Sequence, residues 1–186
     1  MKLAALAATS FVVALSGALM PGPLLAVAID RSVRRGWSAG PLISAGHAAL
    51  EAGLLALVVL GFGAVLRRPP VMAVISIVGG LLLVWMGQDM VRKARSLELS
   101  GGAAGPGGGS PVVDGVLVSA SSPYWILWWI TVGFAYVAMA LPLGAPGVAA
   151  FFLGHIAADF AWYTAVSVAV AGGRSRIPPA LYRALT

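Results

Sequence analysis

Charged residues along this chain fall in short groups, and between them run uncharged stretches long enough to cross a bilayer. They are Leu3 to Ile29, Gly36 to Leu66 interrupted by Glu51, Pro69 to Gln88, Gly115 to about Ala140, and about Pro146 to Gly173 interrupted by Asp159. A membrane-spanning helix needs about 20 apolar residues, so the pattern predicts five of them. The turn chemistry of Leu141-Pro142-Leu143-Gly144-Ala145-Pro146-Gly147 divides the last long run into two spans.

Two spans carry proline in their interior. The first contains Ser16 followed by Pro21-Gly22-Pro23, and the fourth contains Ser119 followed by Ser121-Ser122-Pro123. Proline inside a helix removes a backbone hydrogen bond and kinks or breaks it, so both spans are expected to be discontinuous. Paired broken helices are the best sequence pointer to a transporter's binding site, because loosened backbone near the midplane offers free N–H and C=O groups to a solute. A packing kink is the plain alternative for either proline site.

Composition agrees with the pattern: 60% of residues are apolar and 10% charged, against about 25% charged in an ordinary soluble domain. The expected fold class is all-α, a polytopic transmembrane helix bundle forming a single membrane domain over residues 1–186. The net charge of +6 does not indicate nucleic-acid binding, because the basic residues sit at span ends, where they set topology. The absence of cysteine excludes disulfides, thiolate metal sites and cysteine nucleophiles. The first 20 residues resemble a signal peptide, but the apolar run continues to Ile29 and is too long for that reading. Arg92 to Pro111, glycine-rich from Gly101 to Gly109, reads as a flexible linker. It is not a phosphate-binding loop, since no Lys-Ser/Thr follows the glycines.

With the N-terminus outside, the cytoplasmic face holds Arg31, Arg34, Arg35, Arg92, Lys93, Arg95, Arg174, Arg176 and Arg183, against Lys2, Arg67 and Arg68 outside. The positive-inside rule favours this orientation. It also opposes two matching motifs, Gly46-His47-Ala48-Ala49-Leu50-Glu51 in the second span and Gly154-His155-Ile156-Ala157-Ala158-Asp159 in the fifth. Like motifs pointing in opposite directions are what an inverted three-helix repeat produces. Residues 1–91 form the expected first repeat, 92–111 a cytoplasmic linker, and 112–186 the second repeat. That repeat has two helices plus the lead-in Pro178-Pro179-Ala180-Leu181-Tyr182-Arg183; its sixth helix is expected to be missing or truncated.

A carboxylate at mid-bilayer costs about 2.5–3.5 kcal/mol even on insertion scales and marks a pathway or coupling site. His47 with Glu51, and His155 with Asp159, each share one helix face, and both acids fall near mid-depth. Two carboxylates brought together cannot easily both ionise, which suits proton exchange assisted by the histidines. The same four residues are a plausible ligand set for a divalent cation. The plain structural alternative is that His47 and His155 only bond oxygens between helices, and a non-transporting scaffold would have no cavity reaching Glu51. Asp30 is expected to pair with Arg31 and Arg34 at the interface, and Gln88 and Asp89 to lie at the headgroups. Trp125, Trp128, Trp129, Trp162 and Tyr163 are expected mostly in aromatic belts, with substrate-stacking rings among them as the alternative. Gly36, Gly40, Gly79 and Gly80 read as close-packing positions. No nucleophile elbow or nucleotide motif is present, so an enzyme is not expected.

Ser16-Gly17-Ala18-Leu19-Met20-Pro21-Gly22-Pro23, the basic loop with Gly36 and Gly40, and Gly46-His47 together resemble the LysE/RhtB family of amino-acid exporters over nearly the whole chain. Gly154-His155 with Asp159, Trp162 and Tyr163 resembles a branch in which both repeats keep the histidine and acid. The resemblance implies an inner-membrane secondary transporter that exports amino acids or related small metabolites, driven by the proton gradient, without a cofactor. Its expected partners are the small-molecule substrate, protons and the lipid bilayer, with a homodimer left open. Ser122-Pro123 departs from the Asn-Pro of many members. The substrate site is expected at Pro21, Gly22, Pro23, Ser119, Ser122 and Pro123, and proton coupling at His47, Glu51, His155 and Asp159. Divalent-cation export through those last four residues is the alternative.

Overall fold

The computed structural model describes residues 1–62, 68–70, 73, 77, 81, 84, 88 and 109–174. Most of the third span, most of the linker and the C-terminal lead-in lie outside them. So do Asp89, Gly79 and Gly80. Among the described residues there are helices and turns and no strand. The described positions of the third span, including Ala73, Ile77, Leu81 and Val84, are helical and exposed. Their three- and four-residue spacing makes one apolar stripe, suited to a lipid-facing side.

The first span is broken at its prolines. Helix α1 (Lys2–Ala18) ends before Pro21, Gly22 adopts an extended conformation, and α2 (Pro23–Arg35) starts with proline at its first turn, where the missing N–H costs nothing. The two helices meet at 78°. Gly36 ends α2 with φ 80°; no neighbour lies within reach of a β-carbon there, so it is a turn residue and not the expected packing position. Gly40 is one, since a β-carbon would overlap the Tyr163 carbonyl.

Helix α3 (Ala39–Leu57) carries the first His-acid motif and runs on into Val58–Phe62, where the chain kinks at Gly61 with φ 104°. Across the linker, α4 (Pro111–Ala120) stops at Ser121-Ser122, and Pro123 opens α5 (Pro123–Trp128). A π-helical turn, Trp129–Gly133, leads into α6 (Phe134–Ala140). A 3-10 turn, Leu141–Leu143, then gives way to α7 (Gly144–Arg174).

By length and composition alone, Ala39–Gly61 and Pro123–Gly173 qualify as membrane-crossing stretches, and the α1–α2 pair, bent by 78°, makes a third if the two helices form one span. The 51 residues of Pro123–Gly173 are not one straight span. Gly144 has φ 66°, a β-carbon on Gly147 would overlap the Ala140 carbonyl, and Tyr136 stacks on Phe151 at 5.5 Å. Partners spaced symmetrically about the turn define an antiparallel hairpin. The break expected from Leu141 to Gly147 is therefore present.

Helix α1 lies along α7, and α4 lies along α3. These two contacts match in detail. Gly46 is pressed against the Val112 carbonyl and Gly154 against the Ala7 carbonyl, too closely for any β-carbon. Three residues earlier on each motif helix, the Ile43 carbonyl meets Gly115 and the Phe151 carbonyl accepts from Ser10 Oγ at 2.8 Å. Small residues thus let the backbones of both pairs approach closely.

Candidate functional site

The spacing of four places His47 and Glu51 on one face of α3, and His155 and Asp159 on one face of α7. The close crossings at Gly46 and Gly154 sit beside these residues, and the two faces converge. His47 Nε2 is 3.2 Å from Glu51 Oε1, and His155 Nε2 is 2.9 Å from Glu51 Oε2. Asp159 Oδ2 stands farther off, 3.8 Å from His47 Nε2 and 3.6 Å from His155 Nε2. One ligand atom from each of the four lies within 4.8 Å of the others. All four are buried, Glu51 with 1% of its surface exposed.

Their surroundings differ. His47 Nδ1 is 2.7 Å from Ser119 Oγ on α4, which leaves Nε2 to face the acids. Glu51 Oε1 accepts the indole N–H groups of Trp125 at 2.9 Å and Trp129 at 2.8 Å. Glu51 Oε2, both ring nitrogens of His155 and Asp159 Oδ2 are buried without a hydrogen-bond partner. The 2.9 Å approach of His155 to Glu51 is therefore an electrostatic contact whose angles fall outside hydrogen-bond geometry. Buried polar atoms are nearly always paired, so this group of unpaired ones marks a place prepared for a ligand or a proton.

These atoms border a cavity of about 220 Å³. It reaches Glu51, unlike the solid interior expected of a scaffold. Pro21, Gly22, Pro23, Ser119 and Ser122 line it together with His47, Glu51, His155 and Asp159. Pro123 is not among its walls; it is buried at the start of α5. The structure thus brings nine of the ten sequence-selected residues to one cavity, and Pro123 acts by ending the helix before it.

Aromatic side chains weighed in the sequence between membrane belts and substrate stacking also reach the site. Trp125 and Trp128 line the cavity, Trp129 is buried, and the Trp128 ring lies 4.5 Å from that of His155. Tyr163 is also a buried wall. For these four the aromatic-belt expectation is wrong, because the rings serve the acids and the cavity. A usable signal did exist: Trp125 and Trp129 are four apart on one helix face, and a buried indole N–H needs an acceptor. Asp30 pairs with Arg34 at 3.1 Å, whereas Arg31 reaches across to Asp114 at 2.6 Å.

A cavity at two helix breaks, walled by a duplicated His-acid element, suits a protein that passes a solute through a membrane. The family model for the LysE type translocator matches residues 15–184. The chain belongs to the LysE type translocator family. As a LysE translocator it is a membrane transporter, and the cavity is its candidate transport site. No curated protein and no solved structure matches the chain.

Proposed function

We propose that this translocator exports amino acids or related small metabolites across the inner membrane in exchange for protons, with its N-terminus outside. The observation that carries the reading is the convergence of His47, Glu51, His155 and Asp159 in a cavity bounded by both helix breaks. Acids and imidazoles at this range can pass a proton among themselves. A carboxyl protonated from outside gives up its proton when cargo arrives from inside, and the cycle reverses across the membrane.

The matched contacts of α1 with α7 and α4 with α3 support two inverted repeats. The repeat axis would then pass near the four side chains, so both sides of the membrane reach the same site. Cells expressing Glu51→Gln or Asp159→Asn at parental levels should lose pH-dependent protection against toxic amino-acid loads. Parental export by both variants across a pH series would remove the proton-coupling assignment.

A second reading has its own observation. Two imidazoles and two carboxylates within 4.8 Å form a donor set suited to Mn²⁺, Zn²⁺ or Ni²⁺, so the cargo would be a divalent cation. It predicts stoichiometric metal on the purified protein and its loss in His47→Ala. Full amino-acid transport by a metal-free preparation would exclude it.

A further inference from the structure

The two halves of the site are built from corresponding positions but furnished differently. Val112 meets Gly46 and Ala7 meets Gly154; two turns further along each helix stand Ser119 and Ala14. Ser119 holds His47 Nδ1, while Ala14 offers His155 nothing, and His155 Nδ1 is unpartnered. The second break is capped, since Ser122 Oγ accepts the Trp125 N–H at 3.5 Å. The first is not: Gly22 supplies no side-chain cap. The amides of Leu24 and Leu25 belong to the first turn of α2, where helix geometry provides no acceptor. Both residues line the cavity.

We propose that the cavity binds a neutral amino acid with an apolar side chain, its ammonium on Asp159 and its carboxylate on the open amino-terminal turn of α2. Asp159 is chosen over Glu51 because Glu51 Oε1 already accepts two indoles and each Glu51 oxygen faces a histidine within 3.2 Å, whereas Asp159 Oδ2 is buried, has no hydrogen-bond partner and lies 3.6 Å or more from either histidine. The uncapped turn carries a partial positive charge and two free donors, which suits a carboxylate. The remaining walls include Leu24, Leu25, Met20, Trp128 and Ala18. No Lys or Arg is among them, so an acidic side chain would meet only the two histidines, both already facing Glu51. A basic side chain would have only Glu51 to face, and that carboxylate already accepts two indoles and stands within 3.2 Å of both histidines.

This inference rests on the exporter reading and assigns its cargo-binding residues. The test is binding of labelled leucine to the purified full chain in lipid nanodiscs, with lysine, glutamate, isopentylamine, 4-methylpentanoate and Zn²⁺ as competitors. Unlabelled leucine should compete best, and amine or acid alone should be at least about tenfold weaker, the scale of one hydrogen bond to a charged group. Asp159→Asn should lose leucine binding by about 10- to 100-fold, and Glu51→Gln by far less, because glutamine still accepts from the indoles. Gly22→Asp, where a β-carbon would make only an ordinary contact with the Met20 carbonyl, should cap α2 and repel the carboxylate. It should weaken leucine while leaving isopentylamine binding intact, and that retained binding shows the protein is folded. Tighter binding of lysine or glutamate would overturn the side-chain assignment while leaving amino-acid export standing. Equal losses in Glu51→Gln and Asp159→Asn would overturn the division between the acids. Stoichiometric Zn²⁺ with no amino-acid binding would overturn this inference and the exporter reading together.

Discussion

On one wall of the cavity Glu51 is enclosed by Trp125, Trp129, His47 and His155; on the other, Asp159 stands 3.6 Å or more from either histidine. The spacing of the two motifs is identical, yet the contacts their acids receive are not. A duplicated element therefore supplies two acids at one site, and the flanking helices decide how firmly each is held. Tryptophans after the second break, and Ser119 before it, fix the Glu51 side. Leucines after the first break, and Ala14 before it, leave the Asp159 side open. A firmly held acid beside a more open one suits the proposed exchange, with the proton on Glu51 and the cargo's ammonium on Asp159.

The largest test of this contrast is truncation. Glu51→Ala strands two indole donors and removes the carboxylate facing both histidines, and breaking such a buried charged network costs about 3–5 kcal/mol. It should sharply lower thermal stability in detergent, whereas Asp159→Ala should lower it much less. Equal destabilisation would erase the distinction. Trp129→Phe keeps most of the ring volume but removes one charge-assisted donor, for an expected loss of about 1.5–3 kcal/mol. If its melting temperature matches the parent, the indoles do not hold Glu51. The smallest pair exchanges the oxygen near the histidines. Ser119→Ala should cost about 1 kcal/mol, and Ala14→Ser, which gives His155 the hydroxyl its counterpart has, should return a similar amount or less. A stability loss in Ala14→Ser would show that the two positions do not correspond.

The sequence disclosed the breaks and the motifs because both follow from local rules. Proline without an N–H interrupts a helix wherever it falls, and residues four apart share a face whatever surrounds them. The hairpin at Leu141–Gly147 was legible for the same reason. What surrounds the acids was not. Trp125 and Glu51 are separated by 74 residues, and only the close crossing of α3 with α4, permitted by Gly46 and Gly115, brings that part of the chain within reach. Gly36 and Arg31 illustrate the same limit. Composition could not separate a turn glycine from a packing glycine, nor could adjacency show that Arg31 would turn to Asp114 instead of Asp30.

The central claim is that cargo and protons meet at this four-residue site, and flux in proteoliposomes tests it directly. Vesicles preloaded with leucine and a pH-sensitive dye should acidify inside as leucine leaves through the parent protein. With Glu51→Gln, leucine–leucine exchange should persist while net efflux no longer moves protons. Undiminished acidification through Glu51→Gln would contradict the account.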